Sequence, residues 1–504
     1  MIYDCFPFNN ELDILELRLE MLGGVVDRFV LSESTKTHTG HDKPLHFSDN
    51  RGRFAKYLDR IVHVVVRDNP SDPDPWVRER FQREQLMTGL VDCKADDVIL
   101  ISDLDEIPDP ALIVSLAGQS GVTVFEQHNC CYFMNLTMSY WHGTRALRYD
   151  ELKAMGPNAA RQSAGRILPR AGWHFSYLGG TDTVLKKLSN TAHQEYNTEH
   201  FSDRDRVAAA IETGSDLFSR TAGRGRLLQL TALPKAVQAD PERFRPYLTD
   251  RVVREAEFHE DWYPVYKLRG MMFALGLTHG LSGRIIEIGC WEGRSTSYLA
   301  RAAWPDLVNA VDTWEGNDAE SDDHPSVVAA KQRNVFRTFL RNMFVLTRGN
   351  VRPQRMRSTK YLEMDRTPIR FAHIDASHDY PSVKTELLAL LPLVVDGGVL
   401  CGDDFEDGAT AAAGLDGGVE RAVREVLPGC RNDGSFWWWQ KGRSTPPLGG
   451  LLRRLSRRVQ PSEWKRNLLK RFERNAPSLY ATAVDWWWAR QARKRLQSSH
   501  HKRG

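Results

Sequence analysis

No apolar run in the 504-residue sequence approaches the ~18–20 residues that a bilayer-spanning helix needs, so no membrane span is expected. The opening, Met1-Ile-Tyr-Asp-Cys-Phe-Pro-Phe8, lacks a basic stretch followed by an apolar one, which argues against a secretory signal. Cysteine is scarce: seven residues, at 5, 93, 130, 131, 290, 401 and 430. Their number is odd and no spacing suits a zinc site. Reduced thiols in a cytosol are expected rather than a disulfide framework. No internal repeat is visible, so a repeat array is not expected. Net charge is also small, at +3.

That charge is unevenly spread. Residues 451–504 carry 15 Lys or Arg against three acids, Glu463, Glu473 and Asp485, so this tail holds +12 and the first 450 residues −9. The pattern is a basic appendage on a mildly acidic body. Apolar content of 41% and charged content of 26% suit a folded globular protein. The length implies roughly two to four domains.

Short apolar segments at 29–31, 61–66, 98–101 and 122–125 predict strands, with helical patterns at 11–21 and 75–89 between them. Such alternation predicts an α/β unit over 1–249. Residues 250–283 read as a helical connector. A second α/β unit over 284–443 is predicted from strands at 284–288, 307–311, 344–347, 369–374, 398–401 and 436–439. Residues 444–504 form the linker and basic tail.

In the first unit the apolar stretch 98–101 runs into acids, Ile101-Ser-Asp-Leu-Asp-Glu-Ile-Pro108. On extended chain Asp103 and Asp105 point to one side. Two carboxylates at a strand end can hold a hard divalent cation, Mn²⁺ or Mg²⁺, which neutralises a diphosphate leaving group. The pattern suits a nucleotide-sugar transferase with an Asp-x-Asp motif.

The surrounding sequence resembles glycosyltransferase family 17. The resemblance rests on Tyr3-Asp-Cys-Phe-Pro-Phe-Asn-Asn-Glu-Leu-Asp-Ile-Leu-Glu-Leu-Arg-Leu19, Glu33-Ser-Thr-Lys-Thr-His-Thr-Gly40, Pro75-Trp76, Ile101 to Pro108, Gly172-Trp-His-Phe-Ser-Tyr177 and Pro241-Glu-Arg-Phe-Arg-Pro-Tyr247. It implies an inverting transferase on a GT-A-like nucleotide-sugar sheet, transferring N-acetylglucosamine or a related hexose. His174, inside the matched motif, is a candidate metal ligand. Lys36, Arg53 and Arg83 are candidate diphosphate contacts. An inverting transfer needs a carboxylate base, and Glu106 and Asp182 are both candidates.

In the second unit Arg284-Ile-Ile-Glu-Ile-Gly-Cys-Trp-Glu-Gly-Arg-Ser-Thr296 reads as strand, glycine turn and helix start. Gly289 and Gly293 allow backbone to approach a ligand at a helix N-terminus. Asp312 ends the next strand, 25 residues past Glu287, where it can accept bonds from a ribose. An acid there also suits NAD; the spacing of the two glycines favours S-adenosylmethionine (SAM). Glu287, Gly289, Gly293 and Asp312 are the candidate SAM residues. Two further strands end in acids, at Asp375 and at Asp403-Asp404. Three carboxylates converging on one crevice repel unless a cation joins them, and Mg²⁺ fits that role. This half resembles the class I SAM methyltransferases, and the three aspartates resemble the metal set of Mg²⁺-dependent sugar O-methyltransferases. His378 is the candidate base, with Asp375 as the alternative.

The tail places Trp464, Leu468 and Phe472 on one helical face, with a tryptophan cluster at 486–488 and basic residues around both. Such a segment suits peripheral contact with an anionic membrane. The expected protein is thus a bifunctional, Rossmann-containing glycan-modifying enzyme, cytoplasmic or on the cytoplasmic membrane face. Its expected partners are a nucleotide-sugar donor and a glycan or lipid-linked glycan acceptor in surface polysaccharide synthesis, with no nucleic acid. The alternative is a methyltransferase with a non-catalytic carbohydrate-binding N-terminal domain.

Overall fold

The computed structural model describes residues 1–220, 224–260, 262–263, 267–316, 324–405 and 418–445; the basic tail lies outside them. Among the described residues no helix is long and apolar enough to cross a membrane. The chain forms two compact units, Met1–Val252 and Val253–Gly504.

The first unit is built on ten strands: β1 Ile2–Phe8, β2 Arg28–Ser34, β3 Ile61–Val66, β4 Val98–Ile101, β5 Glu106–Pro108, β6 Thr123–Cys131, β7 Leu136–Arg148, β8 Arg166–Leu168, β9 Gly172–Ser176 and β10 Arg226–Leu227. The main path runs β3-β2-β1-β4-β7-β6-β9-β5, with β10 beside β7 and β8 beside β6. The β3-β2-β1-β4 half is parallel. The β4–β7 and β6–β7 pairs are antiparallel. Period-two alternation sorts β1: Tyr3 and Cys5 join one core, Phe6 and Phe8 the other. The helix Leu12–Leu22 packs on the second face. It buries Ile14, Leu15, Leu17, Leu19 and Leu22, each worth ~1.5–3 kcal/mol when fully buried. One charged residue, Arg18, is buried among them.

The second unit holds β11 Arg284–Ile288, β12 Val308–Asp312, β13 Val351–Arg355, β14 Ile369–Ile374, β15 Val394–Gly402, β16 Arg431–Asp433 and β17 Phe436–Gln440. Their order is β13-β12-β11-β14-β15-β17-β16. The first five strands are parallel; β17 and β16 run antiparallel. The chain works outward from β11 to β13, then returns to place β14 on the other side of β11. Ligands of open parallel sheets settle at such a reversal, beyond the carboxyl ends of the strands.

Two expectations are corrected here. The strand expected at 344–347 is instead the end of the helix Val335–Leu346. Phe336, Phe339, Leu340 and Met343 recur at helical spacing and bury one face, and this longer periodicity overrides a short apolar run. The edge strand is β13, seven residues beyond the position expected to start it. Of the helical connector expected at 250–283, the described residues form one helix, Leu268–Gly276.

Candidate functional sites

The loop joining β4 to β5 carries Asp103 and Asp105, Glu106 opens β5, and a single guanidinium holds this backbone. Arg18 donates to the carbonyls of Asp103, Leu104 and Glu106 at 3.1, 2.9 and 2.8 Å and to Ser102 Oγ at 2.5 Å. The same group grips Asp4 through two bonds of 2.7 and 2.6 Å, and both side chains are 0% exposed. Asp4 reaches it because β1 alternation turns Asp4 to the face that the helix covers.

The loop then aims two carboxylates into different surroundings. Asp103 lies 2.9 Å from Arg83 and 3.4 Å from Arg161, with 39% of its side chain exposed. Burial favours its neutral form, but the two guanidiniums outweigh this and hold the carboxyl well below the usual range. Asp105 lies 3.0 Å from Lys187 Nζ and 3.6 Å from His174 Nε2. Burial works against the Lys187 charge, yet Asp105 keeps that amine above its ordinary value. His174 arrives because β9 pairs with β5, setting it opposite Glu106. Its ring stacks on Trp141 at 5.1 Å, and its Nδ1 meets Asn129 Oδ1 at 3.1 Å. Arg83, Arg161 and Lys187 thus flank the two carboxylates, while Glu79 and Glu106 pair the two guanidiniums as well.

The structure does not bring every expected residue to this pair. Glu106 is fully buried; it accepts from Trp141 Nε1 at 2.6 Å and from Arg161. It braces the loop from behind and does not present a base. Asp182 is 80% exposed and bound to Arg204. Lys36 pairs with Asp42, and Arg53 with Asp13 and Glu16. Arg83 alone of the three expected cations meets the acids.

In the second unit, the turn after β11 opens on a cavity of about 680 Å³. Gly289 has φ +82°, and a Cβ there would stand 2.0 Å from the Asp375 carbonyl, so glycine is required. Asp312 accepts from the backbone N–H of Cys290 and Trp291 at 2.8 Å each and of Trp314 at 2.7 Å. Burial raises its carboxyl despite these bonds. Gly289 and Asp312 line the cavity. Glu287 is placed elsewhere: it is fully buried and meets His373 Nδ1 at 3.0 Å. Gly293 caps the helix Arg294–Ala303 at φ +84°, where a Cβ would crowd Met343.

Across the cavity, ligand atoms of Asp375, His378 and Asp404 lie within 4.8 Å of one another. His378 Nε2 is 3.0 Å from Asp404 Oδ2. The expected trio of aspartates is corrected in one member. Asp403 is buried, ion-paired to Lys267, and accepts from Ser435 Oγ at 2.7 Å. Asp404 has φ +55°, so the chain turns between the two and their side chains part. Burial raises the Asp375 carboxyl, and Asp403 and Asp404 push it further, to about 7, against the pull of His373 and Lys267.

Sequence reasoning missed Arg18, Arg161, Lys187 and Lys267. Only Arg18 left a signal, as a charge inside an apolar helical stripe. The others come to their acids through tertiary folding.

An acid pair ringed by cations, and a glycine turn opening on a cavity at a strand reversal, define two group-transfer domains on one chain. Residues 1–222 match the model of glycosyltransferase family 17, and residues 286–405 match a methyltransferase domain model. The chain carries a family 17 glycosyltransferase domain followed by a methyltransferase domain. The beta-1,4-mannosyl-glycoprotein 4-beta-N-acetylglucosaminyltransferase of Rattus norvegicus is 32% identical over 255 residues, 42% of this chain and 47% of that protein. Its Homo sapiens counterpart is 34% identical over 115 residues, 21% of this chain and 22% of that protein. The chain thus spans about half, or less, of the length of these curated relatives. Among solved structures, the calicheamicin methyltransferase CalS11 is similar at 17% identity, covering 42% of this chain and 89% of its own, with a TM-score of 0.26. The O-methyltransferase NovP is similar at 19% identity, covering 35% and 79%, with a TM-score of 0.26.

Two outcomes are expected. Arg18→Met leaves Asp4 buried without its partner and frees the loop carbonyls, a loss of about 3–5 kcal/mol. Urea unfolding of the full chain followed by tryptophan fluorescence measures it; an unchanged midpoint contradicts the role given to Arg18. The second concerns pH. Asp375 keeps its proton to about pH 7 when folded, whereas an unfolded Asp releases it near ~4. This group's stability contribution is therefore full below the unfolded value and lost as pH rises through 7. Asp375→Asn removes that loss, so without divalent ions its Tm should exceed the parent's by a few degrees at pH 8 and by far less at pH 5. Equal shifts at both pH values contradict the assignment.

Proposed function

We propose that the chain is a bifunctional glycan-modifying enzyme. The first unit is an inverting glycosyltransferase that uses a nucleotide-sugar donor, N-acetylglucosaminyl or a related hexosyl. The second is a SAM-dependent sugar O-methyltransferase. The two act in surface polysaccharide synthesis. The observation that carries this reading is the Asp103–Asp105 loop, anchored by Arg18 and ringed by Arg83, Arg161 and Lys187.

In the first unit Arg83 and Arg161 suit planar recognition of diphosphate oxygens, because guanidinium presents paired donors in a fixed fork. Both oxygens of Asp103 are already held by guanidiniums, so its role here is to orient them. Asp105 and His174, facing each other at 3.6 Å, would hold Mn²⁺ or Mg²⁺, which supplies charge neutralisation of the leaving diphosphate. Lys187 adds a fixed positive charge beside them.

In the second unit Gly289 and Asp312 would hold SAM, which supplies the methyl group. Asp375 and Asp404 would hold Mg²⁺, which supplies orientation and acidification of an acceptor hydroxyl. Their oxygens fit one cation, since they share a cluster 4.8 Å across. Lys267 neutralises Asp403 behind them. His378, 43% exposed and lining the cavity, takes the proton that the acceptor hydroxyl gives up. The basic tail, from its composition, brings the chain to an anionic membrane bearing a lipid-linked acceptor.

Asp105→Ala should abolish sugar transfer, by about a thousandfold or more, because the charge it positions acts on the developing leaving-group anion. SAM affinity should stay unchanged. Labelled UDP-N-acetylglucosamine with Mn²⁺, read by product chromatography, measures the first; calorimetry measures the second. Loss of SAM binding in a folded Asp105→Ala chain would sink the two-domain reading. Donor turnover absent from the parent chain would favour the carbohydrate-binding alternative.

A further inference from the structure

Beside the acid pair of the first unit, Trp141 is 40% exposed. It stands on β7 opposite Gln127 of β6, and Asn129 of β6 stands opposite His174 of β9. Alternation therefore puts Trp141, Asn129 and His174 on one face of the sheet. Most of the indole is already committed there. Its Nε1–H donates to the buried Glu106 carboxylate at 2.6 Å. One of its faces stacks on the His174 ring, with centroids 5.1 Å apart and planes 27° apart. Two residues on, a Cβ at Gly143 would stand 1.9 Å from Gln127 Oε1 and 3.0 Å from the Glu106 carboxyl carbon. Glycine there lets both side chains close up against β7, which brings Glu106 within reach of the indole. The ring is thus fixed in place, and what it still offers is one bare π face.

Such a face selects its occupant by chemistry. Its N–H is spent on Glu106, so it has no donor for a phosphate oxygen. Its electron-rich surface attracts weakly positive C–H groups. A pyranose has that surface, with C–H bonds on its ring face and hydroxyls around its edge. Position points the same way. Ligands of parallel strands settle beyond their carboxyl ends, which favours the β1–β4 half, where Arg83 meets Asp103, for the nucleotide. Trp141 stands instead on the antiparallel β6–β7 ribbon. It backs onto His174, whose Nε2 faces Asp105 at 3.6 Å. A single imidazole separates the indole from Asp105.

We propose that the open face of Trp141 seats the acceptor sugar of the transferase. A pyranose lies with its C–H face on the indole, and its hydroxyl edge turns toward Asp105. This rests on the reading that the first unit transfers a sugar from a nucleotide donor; it adds where the acceptor lies and which group recognises it.

The test uses the full chain saturated with UDP and Mg²⁺. It is titrated with the methyl β-pyranosides of mannose, glucose, galactose and N-acetylglucosamine, and the sugar protons are followed by NMR. At least one pyranoside should bind saturably, and its ring C–H protons should move upfield, the signature of protons held over an aromatic face. Trp141→Ala should weaken that binding about tenfold, the scale of a lost aromatic contact, while calorimetry shows UDP affinity held within about threefold. Trp141→Phe, which keeps a ring on His174, should retain most of the binding. No saturable binding of any of the four, or binding without the upfield shift, overturns this inference alone. Unchanged binding in a folded Trp141→Ala chain also overturns it. An equal loss of UDP affinity in that variant gives the ring to the nucleotide and overturns it too. No binding of UDP to the folded parent, with Mg²⁺ or Mn²⁺, overturns the transferase reading beneath it. The parent's proton shifts need no variant, so they decide even if Trp141→Ala fails to fold.

Discussion

The buried Arg18–Asp4 pair is the constraint on which the first site depends. One guanidinium gathers carbonyls from Asp103, Leu104 and Glu106 and so fixes the backbone that carries both acids. A lysine in its place would bring a single rotating ammonium rather than a rigid planar fork. Desolvating an ion pair is costly, and an apolar replacement of both members is often no less stable. What the pair provides here is position. β1 supplies Asp4, the helix Leu12–Leu22 supplies Arg18, and the end of β4 supplies the loop, so three elements are tied at one atom cluster. From that tie, Glu106 reaches back to Trp141 and Arg161, and β5 pairs with β9 to deliver His174.

The second unit crowds its acids more closely. Its strands β14 and β15 end in three aspartates, and like charges so close cannot all stay ionised unaided. Lys267 takes Asp403 and His378 meets Asp404, which leaves Asp375 to absorb the repulsion. In the first unit Arg83, Arg161 and Lys187 pair the acids around the loop one against another. The second leaves acids in surplus, suited to a divalent cation.

Much of this was legible in sequence, for definite reasons. A strand that runs into acids, as at Ile101 to Glu106, must present them at its carboxyl end. A glycine turn after four buried β11 residues marks a close backbone approach, and Gly289, at φ +82°, packs against the Asp375 carbonyl where a Cβ would not fit. What was not legible depends on tertiary pairing. Glu106 looked like an available base because nothing local reveals that Trp141 and Arg161 occupy it. Asp403 and Asp404 looked equivalent until a left-handed residue parted them. The apolar run at 344–347 looked like a strand because a four-residue window cannot see the helical face it completes.

The central claim is that one chain holds two group-transfer sites on separate sheets. Calorimetric titration of a single full-length sample, first with UDP and Mn²⁺ and then with S-adenosylhomocysteine, tests it most directly. The account predicts one site for each ligand, with the affinity for the second unchanged by saturation with the first. Competition between the two, or failure of either to bind a folded chain, would contradict it.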